Sequence, residues 1–216
     1  MTRRTLCFAF AGIIAAAVRA DEAGALTNPA HCIAPDDPAW NDLAGELRKQ
    51  PSVTADFTER RLFSFKKTPK VLRGEVRVSA DRGLSLHYVD PEDNIVVIDG
   101  LGVLLRSAAG DSVPPADPRA GAANTALLHA LRLDLGPLAE AFELYGLRAG
   151  AAWTLALVPR AADLRRTLGQ ITVGGEGAAV RRIEFRRSAT QRVEISVAPP
   201  RATASFTAEE LRRYFR

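Results

Sequence analysis

Between residues 52 and 105 apolar side chains recur at every second position. Val53, Ala55 and Phe57 alternate with Thr54, Asp56 and Thr58, and Leu72, Gly74, Val76 and Val78 alternate with Arg73, Glu75 and Arg77. Leu84, Leu86 and Tyr88 alternate in the same way with Ser85, His87 and Val89. A period of two marks half-buried strands. Two more strands are expected at residues 94–98 and 103–105, set off by the turn signals Asp90-Pro91-Glu92-Asp93 and Asp99-Gly100. Five strands joined by short turns predict an antiparallel meander rather than a parallel sheet.

On either side of this block the period changes. Asp37-Pro38 reads as a helix cap followed by proline at the first helical position, and Trp40, Leu43 and Leu47 give that helix one apolar face, ended by Pro51. Residues 107–121 form a Pro/Ala/Asp-rich loop. Leu127, Leu128, Leu131 and Leu135 then follow at helical spacing, and Pro137 is expected to open a second short helix through Leu138, Phe142 and Tyr145. Strands return at 152–158, 170–173, 180–187 and 192–197, with a glycine-rich hairpin loop at 174–177. Residues 206–215 end the chain as a short helix or a final pairing segment. The predicted fold is α+β: about nine antiparallel strands in a curled sheet, a half-open β-barrel, covered by a helical lid. Without an internal repeat or a long linker, residues 21–216 read as one domain. A curled sheet closed by helices is a natural container for an apolar ligand.

The first twenty residues change the chemical picture. Arg3 and Arg4 precede an uncharged apolar run from Leu6 to Val18, and Val18-Arg19-Ala20 fits a signal-peptidase site. The run is far shorter than the ~20 residues of a permanent span. The expectation is a signal peptide over residues 1–20, cleavage before Asp21 and residence in the periplasm. Cleavage would remove three arginines and no acid, so the formal charge of +4 overstates how basic the mature chain is. Bulk charge therefore gives no support to nucleic-acid binding. Cys32 alone would survive cleavage, which excludes an intramolecular disulfide; it reads as a partly buried or tail thiol without a chemical role.

The leading amphipathic helix, the strand Val53-Thr54-Ala55-Asp56-Phe57-Thr58-Glu59, Gly74 opening the next strand, and above all residues 88–100 (YVDPEDNIVVIDG) occur in the order seen in the periplasmic outer-membrane lipoprotein carriers. Over residues 38–106 the chain resembles this LolA-like family as a divergent member; afterwards the likeness is topological. The resemblance implies a half-open barrel whose apolar interior takes up lipoprotein acyl chains or another lipid-like cargo, with an inner-membrane donor, an outer-membrane acceptor, no cofactor and a monomeric state. It also implies an alternative: a protein-interaction or lipoprotein-sensing module on the same fold. The arginine through which the family controls its lid corresponds to Ala80; the nearest arginine is Arg82, without the following proline. The family's aromatic positions on the next strand correspond to Leu84 and Leu86.

The expected lipid-binding cavity comprises Phe57, Val76, Val78, Leu84, Leu86 and Tyr88 from the sheet, with Trp40 and Leu128 or Leu131 from the lid. No enzyme is expected. Ser85, His87 and Asp90 superficially suggest a triad, but they lie on what reads as the polar strand face and lack a nucleophile elbow. His31, His87 and His129 share no metal-ligand spacing and read as surface or satisfied histidines. Phe63, Phe65, Lys66, Lys67 and Lys70 form a basic, aromatic loop, either a solvated hairpin or a contact for anionic lipid or an acidic partner. Arg182, Glu184 and Arg186 fall on one solvated strand face opposite Ile183 and Phe185.

Overall fold

The computed structural model describes residues 26–50, 52–115, 118–203 and 205–216; the predicted signal segment lies outside these residues. The strands are β1 (Ser52–Leu62), β2 (Lys70–Ser79), β3 (Gly83–Asp90), β4 (Asn94–Asp99), β5 (Gly102–Ser107), β6 (Gly110–Ser112), β7 (Phe142–Ala149), β8 (Ala152–Pro159), β9 (Gln170–Glu176), β10 (Ala179–Arg186), β11 (Arg192–Val197) and β12 (Arg201–Thr203). They form one antiparallel sheet in the order β6-β5-β4-β3-β2-β1-β11-β10-β9-β8-β7, with β12 pairing the start of β1. The chain thus builds one wing outward from β1, crosses over, and builds the second wing back to β1. The outermost strands, β6 and β7, do not pair with each other among the described residues, so the barrel stays open.

The crossing segment carries α2 (Pro118–Arg132) and α3 (Leu135–Ala141). Helix α2 packs against β4 and β5 of the first wing. It also packs against α4 (Ala162–Leu168), which sits on β8 of the second wing. One helix touching both wings requires the sheet to be curled between them. Helix α1 (Pro38–Arg48) completes the lid. Asp37 caps it by accepting from the Ala39 and Trp40 amides at 3.0 and 3.2 Å, and Trp40, Leu43 and Ala44 are its buried face. Trp40 lies flat over Gly146 of β7, where a β-carbon would overlap the indole, and meets Trp153 edge-on at 6.3 Å. The main core lies between this lid and the concave face.

The expected helix through Phe142 and Tyr145 is replaced by a strand. Helix α3 stops at Ala141, and residues 142–149 pair along their whole length with β8. Leu138, Phe142 and Tyr145 have helical spacing, but Phe142 and Leu144 also have strand spacing, and eight backbone partners on β8 decide between them. Two three-residue strands, β6 and β12, and the short helix α4 also went beyond the predicted elements; each is too short to build a period.

The last helix, α5 (Ala208–Tyr214), is opened by a reciprocal capping box between Thr207 and Glu210. It covers the convex face of the first wing: Phe206, Tyr214 and Phe215 form a second core with Ile95, Val97 and Leu104. The reading of Ser85 and His87 as residues of a polar, solvated face is corrected by this layer. Ser85 is fully buried, and the His87 ring lies 5.6 Å from that of Tyr214 with Nε2 2.8 Å from the Asp93 carboxylate. Arg106 donates to the carbonyls of Arg212, Arg213 and Phe215, satisfying the end of α5. Arg216 grips Asp99 with two bonds of 2.7 and 2.8 Å.

Candidate functional site

An apolar cavity of about 360 Å³ lies between the concave face and the lid. The sheet contributes consecutive inward positions: Val53, Ala55 and Phe57 of β1, Val76 and Val78 of β2, and Leu84 and Leu86 of β3. The second wing adds Val180, Ile183, Ile195 and Val197, and the lid adds Leu47, Leu127 and Leu131. The strand positions in this set follow from the period of two, because residues i and i+2 share a face, except that a register shift between Val180 and Arg182 of β10 brings Val180 to the same wall as Ile183. The volume falls within the range of small-molecule sites.

Of the predicted cavity residues, Phe57, Val76, Val78, Leu84, Leu86 and Leu131 line this space. Leu128 packs against the core from a half-buried position, Trp40 is taken up by Gly146 and Trp153, and Tyr88 stands beyond the end of the cavity. Sequence reasoning missed Leu47, Val53, Ala55, Leu127 and the whole second-wing wall. For Ile183, Ile195 and Val197 the signal was present, since they alternate with Arg182, Glu184, Glu194 and Ser196; Val180 is out of that phase and reaches the wall through a register shift. What the sequence lacked was the fact that β11 returns to pair with β1.

The cavity stops at Phe57. Its ring occupies the space above Gly74, its cross-strand partner, where a side chain would collide with the ring and with the His87 carbonyl. It meets Tyr88 edge-to-face at 5.2 Å. Behind this pair Glu59 is 3% exposed, accepts from the Tyr88 hydroxyl at 2.6 Å and pairs with Arg61. Burial, with the Glu59 carboxylate next to it, pushes the Tyr88 hydroxyl far above the usual phenol range. Tyr88 therefore remains a donor, and Glu59 is a buried charge that is paired and hydrogen-bonded.

The other end is polar. Arg48, Gln50, Arg132 and Asp134 stand at the cavity mouth. Arg48 faces Asp134 at 3.5 Å, so the end of α1 is held to the start of α3. Arg132 donates to the carbonyls of Ser79 and Ala80 at 3.2 and 2.8 Å, tying α2 to the turn between β2 and β3. Next to it Leu133 adopts φ 50°, a left-handed conformation that costs a non-glycine residue about 1–3 kcal/mol. Its fully buried side chain holds it there. Arg82, the residue nearest the family's lid arginine, lies on this same turn but donates to the backbone oxygen of Arg216 at 2.9 Å. At this end of the cavity Arg132, not Arg82, joins lid to sheet, while Arg148 of β7 donates to the Ala39 carbonyl of α1 at 2.6 Å.

Among the described residues no group of three or more His, Cys, Asp or Glu is placed to hold a metal ion. His31 and His129 are 3.3 Å from the Leu26 carbonyl and 3.4 Å from Asp134, respectively. Cys32 is exposed. On the convex face, Glu184 is buried between Arg182 at 2.9 Å and Arg186. The strand face expected to be solvated is therefore an ion-pair layer over β10. Burial alone would raise the Glu184 carboxyl, but the two guanidinium groups outweigh it and hold the carboxyl below its ordinary value.

No family model and no curated protein matches the chain. Solved structures do. The chain is similar in fold to the MucA/MucB complex structure of Pseudomonas aeruginosa (18% identity, TM-score 0.45, 82% of this chain) and spans 60% of that chain. It is likewise similar to a LolA superfamily protein of Nitrosomonas europaea (7%, TM-score 0.40, 80% of this chain and 95% of that one). A DUF1329 family protein of Desulfovibrio piger gives 10%, TM-score 0.43, and 80% and 95%. At these identities the likeness concerns fold alone. The functional reading has to come from the cavity.

Proposed function

We propose that the protein is a periplasmic carrier that shelters an acyl chain of a lipoprotein, or another lipid-like cargo, in its cavity and delivers it towards the outer membrane. The observation that carries this reading is the 360 Å³ space between sheet and lid, walled by aliphatic side chains and opening at a polar mouth. Each methylene moved from water into such a space contributes roughly 0.8 kcal/mol, so a chain of several carbons is held without any covalent or catalytic chemistry. A closely packed interior of this size would leave few voids larger than a water molecule. The two bonds of Arg132 and the Arg48–Asp134 pair close the mouth with polar contacts, which can exchange with water when cargo passes. The signal peptide expected at residues 1–20 supports delivery to the periplasm.

The test is mass spectrometry of organic extracts from natively purified protein, together with titration of a fluorescent fatty-acid probe. Co-purifying amphiphile, displaced by the probe, is the expected result. Purified protein that carries no amphiphile and binds no probe, but holds a protein partner, would replace this reading with that of an interaction module.

A further inference from the structure

The hairpin between β1 and β2 carries a feature the cavity does not use. Phe65 at its tip is 78% exposed. Phe63 lies 5.4 Å from it, and the Lys66 ammonium sits 5.6 and 5.9 Å from the two ring centres. From Arg60 to Gly74 the chain has six cations and no acid. The neighbouring turn, between β10 and β11, is brought alongside by the Leu62–Arg192 register. It adds Arg187, which reaches the Arg166 carbonyl of α4 at 3.2 Å. Arg60, Arg61, Arg73, Arg186 and Arg192 are engaged by carboxylates. Among the described residues no carboxylate pairs with Lys66, Lys67, Lys70, Arg166 or Arg187. Five cations without a carboxylate partner thus stand together at this end of the sheet, beside an exposed aromatic ring.

We propose that this end of the sheet is a docking surface for an anionic lipid bilayer, with Phe65 entering the headgroup layer and Lys66, Lys67 and Lys70 contacting lipid phosphates. Charge complementarity selects the occupant. Each lysine near an anionic bilayer contributes about 1 kcal/mol, lysine stems lie along apolar material while their ammonium groups stay wet, and aromatic rings settle at the headgroup level. A protein partner fits less well, because interface cores are depleted of lysine and the tip offers one ring rather than a contiguous apolar patch. The geometry has a further consequence. β1 runs from the cavity mouth near Gln50 to this tip, so a docked molecule holds its mouth away from the bilayer.

Sedimentation with vesicles of phosphatidylcholine alone, and of phosphatidylcholine mixed with phosphatidylglycerol, tests the proposal. The protein is expected on the mixed vesicles only, and to leave them in high salt as the screening length shrinks. Each of Lys66→Ser, Lys67→Ser and Lys70→Ser should weaken partitioning about fivefold, and Phe65→Ser should weaken it further. Emission from Phe65→Trp should shift to the blue on mixed vesicles, against a background from Trp40 and Trp153, which are already buried. Uptake of the fatty-acid probe should be unchanged in all four serine variants, which separates failure here from failure of the carrier reading. Equal binding to neutral vesicles, or binding that survives the triple lysine substitution, overturns the proposal. So does binding to heparin that matches the mixed vesicles and ignores Phe65→Ser, which would assign the site to a soluble polyanion.

Discussion

Ala55 and Ala130 are both buried, at 1% and 0% exposure, but only Ala55 faces the cavity. Replacing each by Phe turns that difference into an experiment. A dry apolar cavity of about 150 Å³ accepts a benzene-sized ring, so the 360 Å³ space takes a phenyl group at position 55 with room to spare. Full burial of a Phe side chain is worth about 1.5–3 kcal/mol. Ala55→Phe is therefore expected to be neutral or mildly stabilising. At position 130 the ring meets packed side chains, and overpacking costs about 1–3 kcal/mol. Urea denaturation at constant m-value measures both. The same ring at position 55 occupies volume that cargo would use; if it displaces three methylenes of a bound chain, affinity falls by about 2.4 kcal/mol, roughly 60-fold. Probe titration reads this directly, and Ala130→Phe should bind as the parent does wherever it remains folded. Equal destabilisation at both positions, with probe affinity unmoved by Ala55→Phe, would show that the space is not a ligand cavity.

Tyr88→Phe removes a donor from the buried Glu59 carboxylate and should cost about 1–3 kcal/mol in the same denaturation assay; an unchanged midpoint would mean that Arg61 alone satisfies Glu59. Glu184→Gln tests the convex ion-pair layer through pH. Because the folded carboxyl titrates below its ordinary 4.5, the parent holds extra stability above that pH and loses it as pH falls through the folded value. The gap in melting temperature between parent and variant should thus shrink in acid, and a gap independent of pH would refute the assignment. Arg132→Gln cuts the tie between α2 and the β2–β3 turn. Probe release in stopped-flow should accelerate several-fold, with a stability loss of only about 1 kcal/mol; unchanged release would mean that the lid does not gate the mouth.

The concave face of β1 to β3 was legible because Val53 to Phe57, Val76 to Val78 and Leu84 to Leu86 alternate with polar residues and carry a clean period of two. The same alternation placed Glu59 on the inward face beside Phe57, a signal that a buried carboxylate with dedicated partners had to follow. β7 was hidden because Phe142 and Leu144 satisfy a strand while Leu138, Phe142 and Tyr145 satisfy a helix, and only pairing with β8 separates the two. The second-wing wall of the cavity and the burial of Ser85 depend on contacts between distant parts of the chain. The alternation of Ile95, Val97 and Leu104 against Val96, Ile98 and Val103 leaves both faces of the first wing apolar, but it does not say that the segment from Phe206 to Phe215 supplies the cover.

The place of β1 at the centre of the sheet also dictates the order in which the protein can be made. Its partner on one side, β2, follows at once across a short hairpin, but the partner on the other side arrives almost last: Arg60 and Glu194, bonded across the β1–β11 seam, are 134 residues apart. During synthesis or secretion the first wing can assemble locally while one edge of β1 presents its amides and carbonyls to whatever is near, the condition under which strands recruit neighbouring chains. Pairing so distant in sequence also slows folding, since the intervening loop must close before any contact rewards it. The seam that joins the two wings is thus the point at which a newborn molecule is most exposed to capture by another, and its closure by β11 and β12 ends that risk.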